Sequence, residues 1–339
     1  ETQHTVLQIA NDDMPFLVDS VTMALADLGI GLHVLGHPVV QLERDRGGKL
    51  KGVGQGAAES LMHLEIDRQT AEGCVRVEAA VRRVLDDVRL IVEDWQAMRT
   101  RMEEVAEGLS DAVLPVSDEE RAEIQAFLRW AADNHFTFFG YREYEVVKSG
   151  RDEVLQAIDG SGLGLLRCGD VGKPRLLKTV GAQRTDRTVE PLILTKTNAR
   201  STIHRPGYMD YIGVLGFDRG GRKAVTEKRF LGLYTSSAYN RRPWDIPIVR
   251  DRHEQVMAAS GLAETSHSGK ALKHILETLP RDELFQASAA ELQRVATGIL
   301  GLQERVRSRL FLRRDHYGRY YSVLAYVPRD RYNTEVRLR

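Results

Sequence analysis

The sequence predicts a multidomain α+β fold, and three observations predict it. Residues 1–107 read in the order strand, helix, strand, strand, helix. Residues 118–248 carry a run of long β-patterned segments behind a single helix start. Residues 249–305 return to helical spacing before a hairpin pattern closes the chain. A strand–helix–strand unit followed by an antiparallel strand and a helix packs as a small α+β sandwich. The 339 residues are enough for two or three domains with sizeable cores.

The elements follow in order. "HTVLQIA" at 4–10 is a short apolar run and reads as a buried strand. Asp12 or Asp13 is the expected N-cap of the next helix, with Pro15 in its first turn, where a missing N–H costs nothing. Leu17, Val21, Ala24, Leu25 and Leu28 then form one apolar stripe, and Gly29 and Gly31 end the helix. "LHVLGHPVVQLERD" is the next strand, "GGKLKGVGQGAAES" a loop and "LMHLEID" a third strand. One long helix, or two in series, covers Glu72 to about Glu107, with Val77, Val81, Val84, Leu85 and Val88 on its buried side.

"GLSDAVLPVSD" at 108–118 is a linker. Ser117 and Glu120 form a capping box, and Ile124, Phe127, Leu128 and Ala131 are the apolar face behind it. Phe136–Val147 is aromatic and β-branched, hence a strand. "PLILTKTNARSTIHR", "MDYIGVLGFD" and "KAVTEKRFLGLYTS" complete an antiparallel sheet with helices on one side. "RGGRK" is a hairpin turn and "DGSGLGLLR" a glycine-rich connection. Helices are expected at about 249–261, 267–279 and 289–304. A hairpin with "DHYG" near its turn occupies 306–328. Both ends read as cut from a longer chain.

Lys+Arg and Asp+Glu each number 48, so no basic surplus is available to displace counterions from a nucleic acid. No apolar run reaches the roughly 18 residues of a membrane span. Two cysteines, Cys74 and Cys168, make no disulfide framework and read as reduced thiols of a cytoplasmic protein.

"GVGQGA" at 52–57 has the spacing of a loose dinucleotide fingerprint but lies between strands rather than between a strand and a helix. His33 and His37 sit four apart on a strand with no third ligand, so no metal site is expected. His135 with Asp133, and His204 with Asp210, are the nearest things to acid–base pairs, and neither makes a triad. The polar start of the first helix, Asn11, Asp12, Asp13, Asp19 and Ser20, is a candidate small-ligand crevice, because helix N–H groups point there. "TSSAYNRRPWDIP" at 235–247 is a second candidate. Arg241 and Arg242 would clasp a carboxylate and Tyr239 and Trp244 would wall a pocket beside Asn240. An interface with another domain or subunit explains the same residues. His204 belongs with this second group.

Four stretches, "NDDMPFLVDSVTMALADLGIGLHVLGHPV", "FLRWAADNHFTFFGYREYEV", "STIHRPGYMDYIGVLGFD" and "EKRFLGLYTSSAYNRRPWDIPIVR", carry a resemblance over nearly the whole chain. Together and in this order they resemble the N-terminal part of the large bacterial NAD-specific glutamate dehydrogenases. The resemblance implies an ACT-like, ferredoxin-like domain at 1–107 and a second α+β module, PAS-like, at 118–248. It further implies a helical connection at 249–305 and the opening of a second ACT-like domain at 306–339. It implies a parent enzyme that converts L-glutamate and NAD to 2-oxoglutarate, ammonia and NADH. The NAD site and the catalytic lysine of that enzyme lie C-terminal to this segment, so neither a catalytic residue nor a cofactor is expected here. The implied partners are the catalytic domain of the parent chain, further copies in a homo-oligomer, and an amino-acid effector bound at the first strand–helix turn or between two ACT-like units. Amino-acid-binding ACT domains carry Asp-x-x-Gly in that turn. Here the run is Asp12-Asp13-Met14-Pro15-Phe16, and Phe16 stands near where the glycine is expected.

Overall fold

The computed structural model describes residues 3–167, 175–176, 190–302 and 307–332. The first module is built on strands β1 (His4–Asp12), β2 (Leu32–Gly36), β3 (Val39–Arg44), β4 (Leu50–Val53) and β5 (Ala57–Asp67), with helix α1 (Leu17–Asp27) between β1 and β2. β5 is central. β1 pairs antiparallel with it in unbroken register from His4↔Asp67 to Asp12↔Glu59. β2 and β3 lie end to end along its other edge, and β4 pairs with β3. This is the α+β arrangement expected of a ferredoxin-like frame.

Two readings of this region are corrected. The single strand expected at 32–45 is two, broken at His37–Pro38, because proline has no N–H to give the ladder. The loop expected at 47–60 contains β4 and the first residues of β5, whose short polar runs hide the alternation. One face of β5 contributes Met62, Leu64 and Ile66 to a core shared with Leu17, Val21 and Leu25 of α1.

Helix α2 (Ala71–Gly108) closes that core and leaves it again. Its 38 residues span about 57 Å at 1.5 Å per residue. Thr70 caps it, its Oγ1 accepting from Gly73 N at 3.1 Å. The first half buries Val77, Val81, Val84, Val88 and Ile91 in the first core; the second half buries Met98, Met102, Val105 and Ala106 in the next.

Asp94, only 8% exposed, sits at the changeover. It accepts from Gly164 N at 2.7 Å and from Nε of Arg167 at 2.8 Å, with Nη2 of Arg167 on its other oxygen. Gly164 has φ +56, and a Cβ there would stand 2.4 Å from the Phe139 carbonyl oxygen, so only glycine fits.

The second module starts at α3 (Asp118–Trp130), whose capping box pairs Ser117 and Glu120 as expected. A π-type turn, Ala131–His135, leads into β6 (Phe136–Ser149). Next come β7 (Asp152–Ala157), β8 (Leu163–Gly164), β9 (Arg175–Leu176), β10 (Leu192–Arg200), β11 (Tyr208–Phe217) and β12 (Ala224–Tyr234). They form one antiparallel sheet in the order β10-β11-β12-β6-β7-β9, with β8 beside β6. The glycine-rich connection at 159–167 thus contributes β8. Cys168 lies outside the described residues; Cys74 is exposed on α2.

Helices α4 (Ser236–Asn240), α5 (Val249–Ser260), α6 (His267–Thr278), α7 (Arg281–Gln286) and α8 (Ala289–Leu300) follow, then strands β13 (Arg309–Arg314) and β14 (Tyr321–Tyr326). α7 escapes the sequence reading because six residues are too few to show a 3.6-residue period. Phe127, Leu128, Phe136, Phe230, Leu272, Phe285 and Leu292 share the core between sheet and helices. The hairpin turns Phe311 inward, against Gly298 of α8, and leaves Leu310, Leu312, Tyr321 and Val323 exposed on its other face.

Asp94→Ala removes the acceptor for a buried backbone N–H and for Arg167, and should cost about 1–3 kcal/mol in urea unfolding. Burial raises this carboxyl's pKa, but the hydrogen bonds from Arg167 and Gly164 outweigh burial and hold it below 3.8. The stability it adds is therefore present above the unfolded value and lost as pH falls through the lower folded one. The loss in Asp94→Ala should accordingly shrink as pH falls below the ordinary carboxylate value.

Candidate functional site

The turn between β1 and α1 does not start the helix in the expected way. β1 runs on to Asp12, and the N-cap is Phe16, with no side-chain cap. Neither Asp12 nor Asp13 caps the helix, and Pro15 precedes the first turn rather than lying in it. The reason is a competing partner. Arg89 of α2 donates from Nη1 to Asp12 Oδ2 at 2.9 Å and from Nη2 to Asn11 Oδ1 at 3.2 Å. Asp13 N donates to the Ala58 carbonyl at 3.0 Å. These bonds hold Asn11 and Asp12 in the strand and Asp13 against β5. Of the three, Asp13 keeps a solvent-facing carboxylate with no partner among the described residues.

Phe16 has φ 72, the left-handed conformation that a glycine at this position would adopt freely. Its ring lies 5.0 Å from the ring of His204. His204 itself has φ 67. Its backbone N–H donates to Ser20 Oγ at 3.2 Å, and its Nδ1 lies 3.7 Å from Asp19 Oδ2. The preceding Ile203 is fully buried in the first core. The loop between β10 and β11 thus plugs the crevice at the start of α1. The structure joins Asp19 and Ser20 to His204, which sequence reading assigned to a separate group, and separates His204 from Asp210. His135 donates from Nδ1 to the Trp130 carbonyl, 2.8 Å away, and stacks on the Trp130 ring. It serves the turn into β6.

The second group divides. Trp244 lies under Lys273 Nζ at 4.7 Å and the Arg242 guanidinium at 5.8 Å, with the His253 ring at its edge. Asn240 and Arg241 are exposed, and the Arg241 carbonyl accepts from Arg281 Nε at 3.0 Å. Tyr239 faces elsewhere. Its hydroxyl donates to Asp282 Oδ1 at 3.0 Å. Tyr239 and Trp244 therefore do not wall one pocket.

The Tyr239 contact exposes a network that sequence reading missed. Lys196 Nζ lies 2.6 Å from Asp210 Oδ1 and 3.2 Å from Asp282 Oδ1. Asp210 Oδ2 accepts from Tyr234 N at 3.1 Å. Asp210 is 1% exposed, and burial pushes its carboxyl up to about 6 although Lys196 pulls the other way. Burial opposes the charge on Lys196, but the two flanking carboxylates hold its pKa above the ordinary lysine value. A signal for half of this was available: an aspartate and a lysine inside apolar strands, placed opposite each other by the β10–β11 hairpin register, Lys196↔Asp210. Asp282 arrives only through tertiary packing of α7.

Fold and site together define the type of α+β segment: an ACT-like sandwich whose β1–α1 crevice is closed by a second module. Comparison with known proteins makes this specific. Residues 1–81 match the ACT1 domain of glutamate dehydrogenase, 246–305 its helical motif 1, and 309–339 its ACT2 domain. The whole chain is 40% identical to an NAD-specific glutamate dehydrogenase of Pseudomonas aeruginosa and 37% identical to one of Halomonas elongata. Over 98% of its length it is 31% identical to one of Mycobacterium tuberculosis. It spans 22% of the length of the first two and 20% of the third. The chain belongs, as a segment, to the NAD-specific glutamate dehydrogenase family.

The raised Asp210 carboxyl sets a pH signature. Between about pH 3.8 and 6 the folded chain holds this proton and the unfolded chain does not, so stability falls as pH rises through that window. Asp210→Asn should remove that part of the slope. Urea midpoints taken from pH 4 to 7 for both proteins check it.

Proposed function

We propose that this chain is the non-catalytic regulatory and assembly segment of an NAD-dependent glutamate dehydrogenase. The parent enzyme oxidises L-glutamate with NAD and water to 2-oxoglutarate, ammonia and NADH. The carrying observation is the order of matched regions, ACT1, helical motif 1 and ACT2, on one chain that covers about a fifth of its relatives. The residues 52–57 that imitate a dinucleotide fingerprint support the same reading. They form the end of β4, a turn and the first residue of β5, with no helix behind the glycines to receive a pyrophosphate.

The partner in this reading is the catalytic portion of the same parent chain, within a homo-oligomer. The hairpin face of Leu310, Leu312, Tyr321 and Val323 is apolar and exposed, as expected of a sheet that is completed by further elements. The second module, read as PAS-like, holds the hairpin through Asp315–Thr195, and α7 holds it through Arg313–Glu283, and together they fix where that completion stands. The effector reading at the β1–α1 turn is weakened by Arg89 on Asn11 and Asp12 and by Phe16 and His204 in the crevice.

Incubating the purified chain with L-glutamate and NAD and following NADH absorbance should give no turnover. NADH production by this chain alone would sink the proposal. In the full-length parent enzyme of this segment, Leu312→Asp together with Val323→Asp should disturb assembly, read by sedimentation, before it affects substrate affinity.

A further inference from the structure

In a ferredoxin-like unit of order strand–helix–strand–strand–helix–strand, the last strand follows the second helix and pairs beside the first. The first module has no such strand among its described residues, and the reason is visible. Helix α2 runs its 38 residues on into the second core, and the chain continues into α3 instead of turning back. β1 is therefore left at the edge of its sheet, paired with β5 alone among the described strands. No described group bonds the outward-facing N–H and C=O groups from Thr5 to Asn11.

An open edge invites pairing, and proteins blunt it with short strands, lysine, proline or a bulge. The other edge of this sheet is blunted: β4 has four residues and carries Lys51. On the second sheet, β10 carries Lys196 and shifts register before Arg200, and β9 has two residues. β1 has none of these devices. It is nine residues long, lacks lysine, arginine and proline, and keeps one register throughout. It also borders apolar surface that its own module covers only in part. Leu7 and Ile9 of β1, and Leu85 and Val92 of α2, are partly buried against the first core. Arg89, on the α2 flank between those two, reaches Asn11 and Asp12, so that flank lies along β1.

We propose that β1 pairs antiparallel with β1 of a second copy of this chain, about a two-fold axis through Gln8, and joins two first-module sheets into one. The strand's own sequence names the occupant. With Gln8 opposite Gln8 of the second copy, Leu7 meets Ile9, Val6 meets Ala10, Thr5 meets Asn11 and His4 meets Asp12. Apolar residues face apolar ones, polar residues face polar ones, and an imidazole faces a carboxylate at each end. Moving the axis by one residue loses the match. Centred on Leu7, Thr5 faces Ile9; centred on Ile9, Leu7 faces Asn11. Opposed residues share one face of the joined sheet, so the helices of both copies lie on the same side and Leu7 and Ile9 become covered. The charges extend the match. His4 Nδ1 lies 3.2 Å from Glu65 Oε2, and Arg89 holds Asp12 at 2.9 Å. With the imidazole protonated, each end of the joint alternates carboxylate, imidazolium, carboxylate, guanidinium. This deepens the assembly part of the reading above and rests on it, supplying the surface and the partner.

The test uses the 339-residue chain and sedimentation equilibrium. The wild-type chain should show a concentration-dependent dimer. Gln8 is exposed, and Gln8→Lys or Gln8→Glu sets two like charges across the axis. Each variant should weaken the dimer about tenfold while its far-UV circular dichroism stays that of the wild type. Mixing the two variants should restore the dimer, a rescue that misfolding cannot produce. Gln8→Cys, with Cys74→Ser and Cys168→Ser, should crosslink two chains under mild oxidation. Directly opposed strand residues stand about 4.5–5.5 Å apart, within disulfide reach. Val6→Cys in the same background should not crosslink, because its two copies lie four residues out of register, about 14 Å apart. The proposal is overturned if the wild-type chain stays monomeric up to its highest soluble concentration, if the charged variants dimerise as the wild type does, or if Val6→Cys crosslinks as readily as Gln8→Cys. A dimer broken by Leu312→Asp with Val323→Asp but kept in both charged variants would place the contact on the hairpin face. That outcome sinks β1 pairing and leaves the assembly reading standing. Glutamate turnover by the chain alone does the reverse: it sinks the non-catalytic reading and leaves β1 pairing untouched.

Discussion

The stiffness of α2 governs how the rest of the molecule is arranged. An α-helix cannot bend sharply without a proline, a glycine pair or an inserted group, and Ala71–Gly108 has none in its interior beyond the glycine at its first turn. One continuous rod therefore supplies a wall to two cores, with Val77–Ile91 in one and Met98–Ala106 in the other. The rotation between its two buried faces is set by 100° per residue, and it sets the rotation between the modules. Asp94 locks that setting at the midpoint, because its carboxylate must reach a single backbone N–H in a turn where only glycine fits.

Once α2 fixes the two modules, the loop after β10 has little choice of place. Ile203 enters the first core, and His204 meets Phe16 and Ser20. Two non-glycine residues in the left-handed region face each other there, at a cost of order 1–3 kcal/mol each. They persist because burial of Ile203 and the packing of Phe16 against the first core over-determine the loop. The physical consequence concerns the ACT-like crevice. A glycine at position 16 would leave room for a ligand to approach the backbone; phenylalanine fills the room and turns the crevice into a socket for the chain's own second module.

Net charge is zero, but charge is not confined to the surface. Arg229 and Glu227 are buried with Tyr211, Arg313 and Glu283 are buried together, and Lys196 bridges Asp210 and Asp282. Buried pairs of this kind add little stability over apolar packing, but removing one partner strands the other at high cost. Their effect is on register. Arg313 binds β13 to α7, Asp315 accepts from Thr195 at 3.0 Å, and Arg319 reaches the Lys196 carbonyl. The hairpin that opens the ACT2 region is pinned to α7 and to the second module by these bonds.

Periodicity alone determined much of this protein. The stripe of valines on α2, the capping box at Ser117 and Glu120, the long strands β6, β11 and β12 and the final hairpin were all legible. Each is a local pattern repeated over many residues, and local patterns need no knowledge of partners. The four resembling stretches likewise pointed to the family that the comparisons then matched. Short elements were illegible for the opposite reason: β4, β8 and α7 have too few residues to show a period and exist because neighbours hold them. The site was decided by tertiary structure. Sequence could offer Asp12 as a cap, but Arg89, 77 residues further on, decides that it stays in the strand. It could pair His204 with Asp210 by proximity, but packing sends one to Ser20 and the other to Lys196. Hydrogen bonds and ion pairs between distant residues depend on how the cores set the modules together. No spacing along the chain carries that information.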